Sequence, residues 1–412
     1  MLDDANKIIR AGLYAARPEN YFAKYVSSKK IVCSGKSYRI SDYHKIWIVA
    51  IGKAADSMCH SLQKIIHANG GLIILPRGSK SKFSSKKFSI IHSSHPIPSA
   101  KSVFAAKKIL SFLEQTGKND LVVFLISGGA SSLASLPDGI TLEQKIKTTD
   151  ILIKSGATIS EINAIRKHLS GIKGGKILAS LHCNAVSFVL SDVVGNDMSA
   201  IASGMTFCDK TSFLDCLQII SKYKLTTKLP SKVLSRLSDG ARGKIDETPK
   251  KPKIPNQIIA SNSDCLDAML LKAKSLGYST SKYPELFGDV ITAAQKILYR
   301  FNKVKKSCLV FGGEVTVRVI GKGKGGRNQE LVLRIIPKLP PNTIVASIGT
   351  DGIDGNTKYA GAIFDHRVDY ETIKKYLTEN DSNSFFKKYG GLIKTGPTHT
   401  NLQDIGLILQ QL

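Results

Sequence analysis

Short, uninterrupted apolar runs that end in glycine or serine recur between residues 45 and 215, and amphipathic stretches separate them. The longest, 46–51 and 121–126, are strand-sized and too short for buried helices. They show no alternation with polar residues, so both faces of each strand must be covered. Strands of this kind, separated by helical patterns at 54–68, 102–114, 142–155 and 159–169, build βαβ units. The predicted fold class is α/β, with a mostly parallel sheet carrying helices on both faces. Ligands of such sheets bind beyond the carboxyl ends of the strands. Function is therefore expected in the loops after Ile51, Ile126 and Leu190.

The alternation breaks at 238–255, which is rich in Gly, Pro and Lys and lacks apolar periodicity. It resumes with a strand at 257–260, helices at 265–276 and 289–302, strands at 307–311, 315–320 and 343–348, and a helix from about 328. At 412 residues one core is too few. Two domains are expected, 1–240 and 256–412, joined by the linker 238–255, with an amphipathic helix over 2–16 available to pack on the C-terminal domain.

No apolar run approaches the roughly 20 residues of a membrane helix. The opening Met-Leu-Asp-Asp is acidic where a leader would be basic, so a cytoplasmic protein without membrane association is expected. Seven cysteines without a Cys-x-x-Cys pair read as reduced thiols. The net charge of +27 is spread along the chain, with short clusters at 79–87, 250–253 and 303–306. No aromatic-interleaved basic stripe accompanies it, so no nucleic-acid partner is expected; such a field draws small anions instead.

Lys53 follows a buried strand and Gly52, where an ammonium suits an anionic ligand or is an ordinary surface charge. Ser127-Gly128-Gly129-Ala130-Ser131 links a strand to a helix, and paired glycines allow backbone N–H groups close to an oxyanion. The helix ending at Arg166-Lys167-His168, with Lys173 beyond it, is dense in cations that suit a carboxylate or phosphate. Asp192 stands just past a strand with Asp197 nearby; the pair suits magnesium, and an acid at this place equally suits a general base or a helix cap. Gly321, Gly323 and Gly326 satisfy G-x-G-x-x-G with Asp351 downstream, a dinucleotide pattern. Lys322, Lys324 and Arg327 make the same loop suit a polyphosphate.

As an ordered set these segments resemble the class II glycerate kinases, the family with a C-terminal MOFRL domain. The resemblance rests on Gly52-Lys-Ala-Ala55, Ser94-His-Pro-Ile-Pro98, Leu125-Ile-Ser-Gly-Gly-Ala-Ser131, residues 161–175 and Leu190-Ser-Asp-Val-Val-Gly195. It continues through Gly312-Gly-Glu-Val-Thr-Val317, Gly325-Gly-Arg-Asn-Gln-Glu330, Gly349-Thr-Asp-Gly-Ile-Asp-Gly355 and Thr395-Gly-Pro-Thr398. It implies a Rossmann-like larger domain, a smaller α/β MOFRL domain and an active site in the cleft between them. It also implies ATP-dependent phosphorylation of D-glycerate with a divalent cation, Mg2+ by expectation, and 2-phosphoglycerate as the expected product. Lys53, Asp192 and Arg327 match the family's catalytic positions. Ser127 to Ser131, Arg166, Lys173, Glu314, Gly325, Gly326, Asn328 and Asp351 are expected to bind substrate or nucleotide, and Asp192 with Asp197 the metal. A homodimer is compatible with the resemblance. Asn196 and His399 depart from the family pattern. An NAD(P)-dependent hydroxypyruvate reductase is the alternative activity.

Overall fold

The computed structural model describes residues 1–83, 86–301, 306–398 and 400–411; Lys303 to Lys305 of one basic cluster, Asn302 and His399 lie outside the described residues. The chain forms two compact units, one of residues 21–259 and one of residues 1–20 with 260–412. Among the described residues no helix is long and apolar enough to cross a membrane.

The unit 21–259 is built on β1 (Ile46–Ile51), β2 (Gly70–Pro76), β3 (Phe88–Ser93), β4 (Leu121–Ile126), β5 (Asn184–Leu190) and β6 (Asn256–Ala260). The sheet order is β3-β2-β1-β4-β5-β6, and β1 through β5 pair in parallel. Every residue of β4 is buried, which explains its unbroken apolar sequence. Val49, Ile51, Val122 and Phe124 pack against Ala105, Ile109 and Leu113 of the helix Ala100–Glu114. A second core joins Leu152, Ile165, Phe213 and Leu237 from four helices. The order reverses between β1 and β4, so successive crossovers leave in opposite directions and open a crevice at the carboxyl ends of those two strands.

The stretch 238–255, expected as a linker, is fastened to this unit. Glu247 accepts from the Phe213 amide at 2.7 Å, Thr248 donates to Asp209 at 3.1 Å, and Lys253 donates to the Leu178 carbonyl at 2.7 Å. Polar anchors hold it, so it carries no apolar periodicity to read. The following strand, expected in the C-terminal domain, is β6 at the edge of this sheet, and the change of unit falls at 259/260.

The second unit holds a mixed sheet of β7 (Ser279–Asp289), β8 (Ser307–Thr316), β9 (Thr343–Gly349), β10 (Gly361–Phe364), β11 (Leu392–Ile393) and β12 (Asp404–Gln410). Its order is β11-β10-β9-β12-β8-β7, parallel only between β7 and β8 among the registered pairs. Where two strands were expected at 307–311 and 315–320, one strand runs through a register shift at Phe311/Gly313. The N-terminal helix Leu2–Ala15 buries Ala5, Ile8, Ile9 and Gly12. A Cβ on Gly12 would lie 2.8 Å from Met269 Cγ and 2.9 Å from Ile405 Cδ1. Thr400 Oγ1 donates to the Ala16 carbonyl at 2.8 Å. Gly12→Val overpacks this contact and should destabilise the unit by about 1–3 kcal/mol, read as an earlier urea midpoint at unchanged slope. An unshifted midpoint would show that the helix is not part of the unit's cooperative core.

Candidate active site

The crevice of the first unit is fixed by one close approach. Gly52, directly after β1, has φ +134°, and a Cβ there would lie 2.1 Å from Ser127 Oγ. No other residue fits that position. The hydroxyl of Ser127 accepts from the Ala54 amide at 3.0 Å, and the Lys53 amide donates to the Gly128 carbonyl at 2.9 Å. The loops after β1 and β4 are thereby locked together. Gly129, with φ +85°, leaves space that a Cβ would fill 2.9 Å from His95 Cδ2 and 3.6 Å from Lys53 Cγ. His95 belongs with this group, although it carried no functional expectation of its own. Burial and the charge of Lys53 hold its imidazole below its ordinary range.

Ser131 collects the cations predicted at the end of the next helix. Arg166 Nη2 donates to Ser131 Oγ at 2.6 Å, and Lys173 Nζ donates to both the Oγ and the carbonyl of Ser131 at 2.6 Å. Ser203 gives its proton to Asn163 Oδ1 at 3.0 Å, so Ser131 donates to Ser203 across 3.0 Å. Lys167 and Lys176 are paired elsewhere, with Asp209 and Asp138 respectively. A third cation joins Arg166 and Lys173. Lys145, on the helix Leu142–Lys154, is 4 % exposed, and its Nζ has no hydrogen-bond partner among the described residues. Burial and then Arg166 and Lys176 bring its amine down to about 7, with Asp138 pulling weakly the other way. Burial, Arg166 and Lys145 likewise depress Lys173. Lys145 was missed because a lysine on an amphipathic helix reads as solvated surface.

Asp192 is half-buried two residues past β5, at the same carboxyl end of the sheet. Asp197 is exposed, and its two oxygens accept from the amide and hydroxyl of Ser199 at 2.9 Å. Among the described residues no group of three or more metal-binding side chains occurs. Magnesium accompanying nucleotide phosphates needs only one or two protein carboxylates, so Asp192 fits that role, while Asp197 already serves as a turn cap.

In the second unit Arg327 opens the helix Arg327–Ile335 and holds two acids. Its Nε and Nη2 donate to the two oxygens of buried Asp404 at 2.6 and 3.1 Å, and its Nη1 donates to Glu314 at the end of β8. Burial opposes the guanidinium charge, but Asp404 and Glu314 outweigh it and hold the proton more tightly than usual. Asp354 accepts from the amides of Asn328 and Gln329 at 3.0 and 2.9 Å, pinning the first turn of the same helix. Neither Asp404 nor Asp354 was among the expected site residues. Asp351 accepts from the Ile353 amide at 3.1 Å.

The glycine-rich loop has a different explanation from either a dinucleotide or a polyphosphate cradle. The Gly323 amide donates to the Glu379 carbonyl at 2.8 Å, Lys324 to Asp381 at 3.0 Å and Gly325 to Asn356 at 3.0 Å. A Cβ on Gly321 would sit 2.3 Å from the Glu379 backbone, and one on Gly326 would sit 2.3 Å from Asp354. These glycines serve close backbone packing.

Two family models match the chain. Residues 4–238 match the family model of a domain of unknown function (DUF4147), and residues 307–404 match the MOFRL family. A glycerate 2-kinase of Pyrococcus horikoshii is 39 % identical over 403 residues, covering 92 % of this chain and 90 % of the relative. The chain belongs to the MOFRL glycerate kinase family. A D-glycerate 2-kinase of Thermotoga maritima is 35 % identical over 89 % of this chain and 91 % of the relative. The crystal structure of a Thermotoga maritima glycerate kinase superposes with a TM-score of 0.81 at 31 % identity, covering 99 % of each chain. An Agrobacterium vitis relative, 36 % identical over 78 % of this chain and 77 % of the relative, carries only a provisional hydroxypyruvate reductase name.

Lys145 binds its proton less readily in the folded chain, about 7, than at its ordinary 10.5. Between those values the unfolded chain holds the extra proton, so stability rises with pH, and below 7 the cost is complete. Lys145→Met keeps the aliphatic stem and removes this cost. It should melt above the parent, by more near about pH 6 than near about pH 10. A melting difference independent of pH would place the amine in water.

Proposed function

We infer that this chain transfers the terminal phosphoryl group of ATP to D-glycerate, with 2-phosphoglycerate as the product. The observation that carries this reading is the likeness to glycerate 2-kinases along about nine-tenths of the chain. The side chains at its strand ends suit that chemistry. The strand order supports a Rossmann-like reading of the first unit, whose ligands lie where Lys53 and Ser127 to Ser131 stand.

Lys53 supplies a positive charge for the carboxylate of glycerate or a nucleotide phosphate. Asp192, at the end of β5, orients or deprotonates the acceptor hydroxyl. Magnesium arriving with the nucleotide would be held by Asp192 and would neutralise charge on the phosphates. Arg327 offers a planar donor set to the transferring phosphoryl, whose charge is spread over its equatorial oxygens. Asp404 and Glu314 aim the guanidinium beforehand, so little entropy is lost on reaction. Asn328 stands next to it on a helix turn fixed by Asp354. The reductase alternative loses part of its sequence support, because the amides of Gly321, Gly323, Lys324 and Gly325 in its fingerprint loop are bonded within the protein.

Arg327→Lys preserves charge and discards the fork that engages both oxygens of Asp404. Its kcat with D-glycerate and Mg-ATP should fall on the order of 10²-fold while the KM for ATP changes little. A kcat close to the parent's would remove Arg327 from the chemistry. Lys53→Ala should lower kcat/KM for glycerate by at least about tenfold with an unchanged melting temperature. Unaltered kinetics would make Lys53 a surface charge.

A further inference from the structure

Three cations share one buried neighbourhood in the unit 21–259, and among the described residues none of them hydrogen-bonds a carboxylate. Arg166 donates only to Asn163 and Ser131, Lys173 only to Ser131, and Lys145 to nothing among the described residues. Lys173 is 0 % exposed and Lys145 4 %. Unpaired buried charge is strongly destabilising, and chains normally place a carboxylate beside it or leave it out. This chain does so a short distance away. Asp138 takes Lys176 and Arg236, and Asp209 takes Lys167. Among the described residues no ion pair includes Lys145, Arg166 or Lys173, and Asp138 reaches Lys145 only as a weak electrostatic pull.

The hydrogen-bond inventory defines what is missing. Ser131 Oγ is saturated: it accepts from Arg166 and Lys173 and donates to Ser203. Protonated Lys145 offers three donors and Arg166 five, most of them unspent. Such a set lacks an acceptor with negative charge. Arg166 and Ser131 are both half-buried, so these two members of the group reach solvent while Lys145 and Lys173 lie beneath it. Ser131 belongs to the turn that begins at Ser127 and is locked to the Lys53 loop.

We propose that Lys145, Arg166 and Lys173 form an oxyanion site around Ser131 that takes a carboxylate or phosphate group of a substrate. An arriving oxyanion supplies the charge that the cluster lacks. Lys145 then becomes a binding residue, and the stability it costs the empty protein is recovered on binding. The proposal deepens the kinase reading and rests on it only for the identity of the anions, D-glycerate for a carboxylate and ADP for a phosphate.

The test is isothermal titration of D-glycerate and, separately, of ADP into the full chain and into Lys145→Met. Losing one charge-assisted hydrogen bond predicts an about tenfold or greater rise in Kd for the ligand whose oxyanion sits there. The other ligand should bind as before, which identifies the source. Lys145→Met should at the same time melt no lower than the parent when empty. Unchanged Kd for both ligands overturns the proposal. So does equal weakening of both in a variant that melts below the parent, because Lys145 is then a folding element. Lys145-dependent binding in a chain that makes no phosphoglycerate would leave the site standing and sink the kinase reading. Normal turnover with Lys145-independent binding would do the reverse.

Discussion

The first unit depends on the absence of one side chain. Gly52 at φ +134° lets Ser127 come so close that any Cβ would stand 2.1 Å from its hydroxyl. That hydroxyl then caps the Ala54 amide. The loops after the two central strands become one rigid piece at the place where the sheet changes winding direction. Lys53 belongs to one loop, Gly129 and Ser131 belong to the other, and His95 comes alongside from the segment after β3. Side chains from three strand ends are positioned by backbone contacts that cost no flexible side chain, as a preorganised site requires.

The two units treat buried charge in opposite ways. In the C-terminal unit Arg327 is matched on both sides, by Asp404 through a fork and by Glu314. Burial pushes Asp404 up from the ordinary carboxylate range even against the pull of Arg327. The pair is therefore held by geometry, and a cation without the fork would leave a buried acid half-satisfied. In the first unit burial, and after it the charge of Arg166, depresses the proton affinity of Lys145 and Lys173, with Lys145 adding to the effect on Lys173. A matched pair suits a residue that must keep one orientation through a reaction. An unmatched cluster suits a residue set that waits for an anion.

Much of the first unit was legible because its strands are buried on both faces and its loops are glycine-marked. Ile46–Ile51, Leu121–Ile126 and the turns after them follow directly from those signals. The structure differs where burial and sequence pattern part company. β7 is largely exposed along Ser279–Asp289, so no apolar period announced it. Segment 242–255 is held by Glu247, Thr248 and Lys253, and polar anchors look like linker. The glycines at 321–326 resemble a cofactor fingerprint, but they answer to the backbone of Glu379 and the side chain of Asp354. Asp404 and Lys145 carry no local motif. Their meaning lies in a partner 77 residues away in one case and, among the described residues, in the lack of a hydrogen-bond partner in the other.

The central claim is phosphoryl transfer to glycerate, and phosphorus NMR of the reaction mixture tests it most directly. With D-glycerate and Mg-ATP the account predicts a new phosphomonoester signal, growing as ATP is converted to ADP. Phosphate on the secondary hydroxyl couples to a single carbon-bound proton and gives a doublet. Phosphate on the primary hydroxyl would give a triplet. No phosphomonoester signal, together with oxidation of NADPH by hydroxypyruvate, would contradict the account.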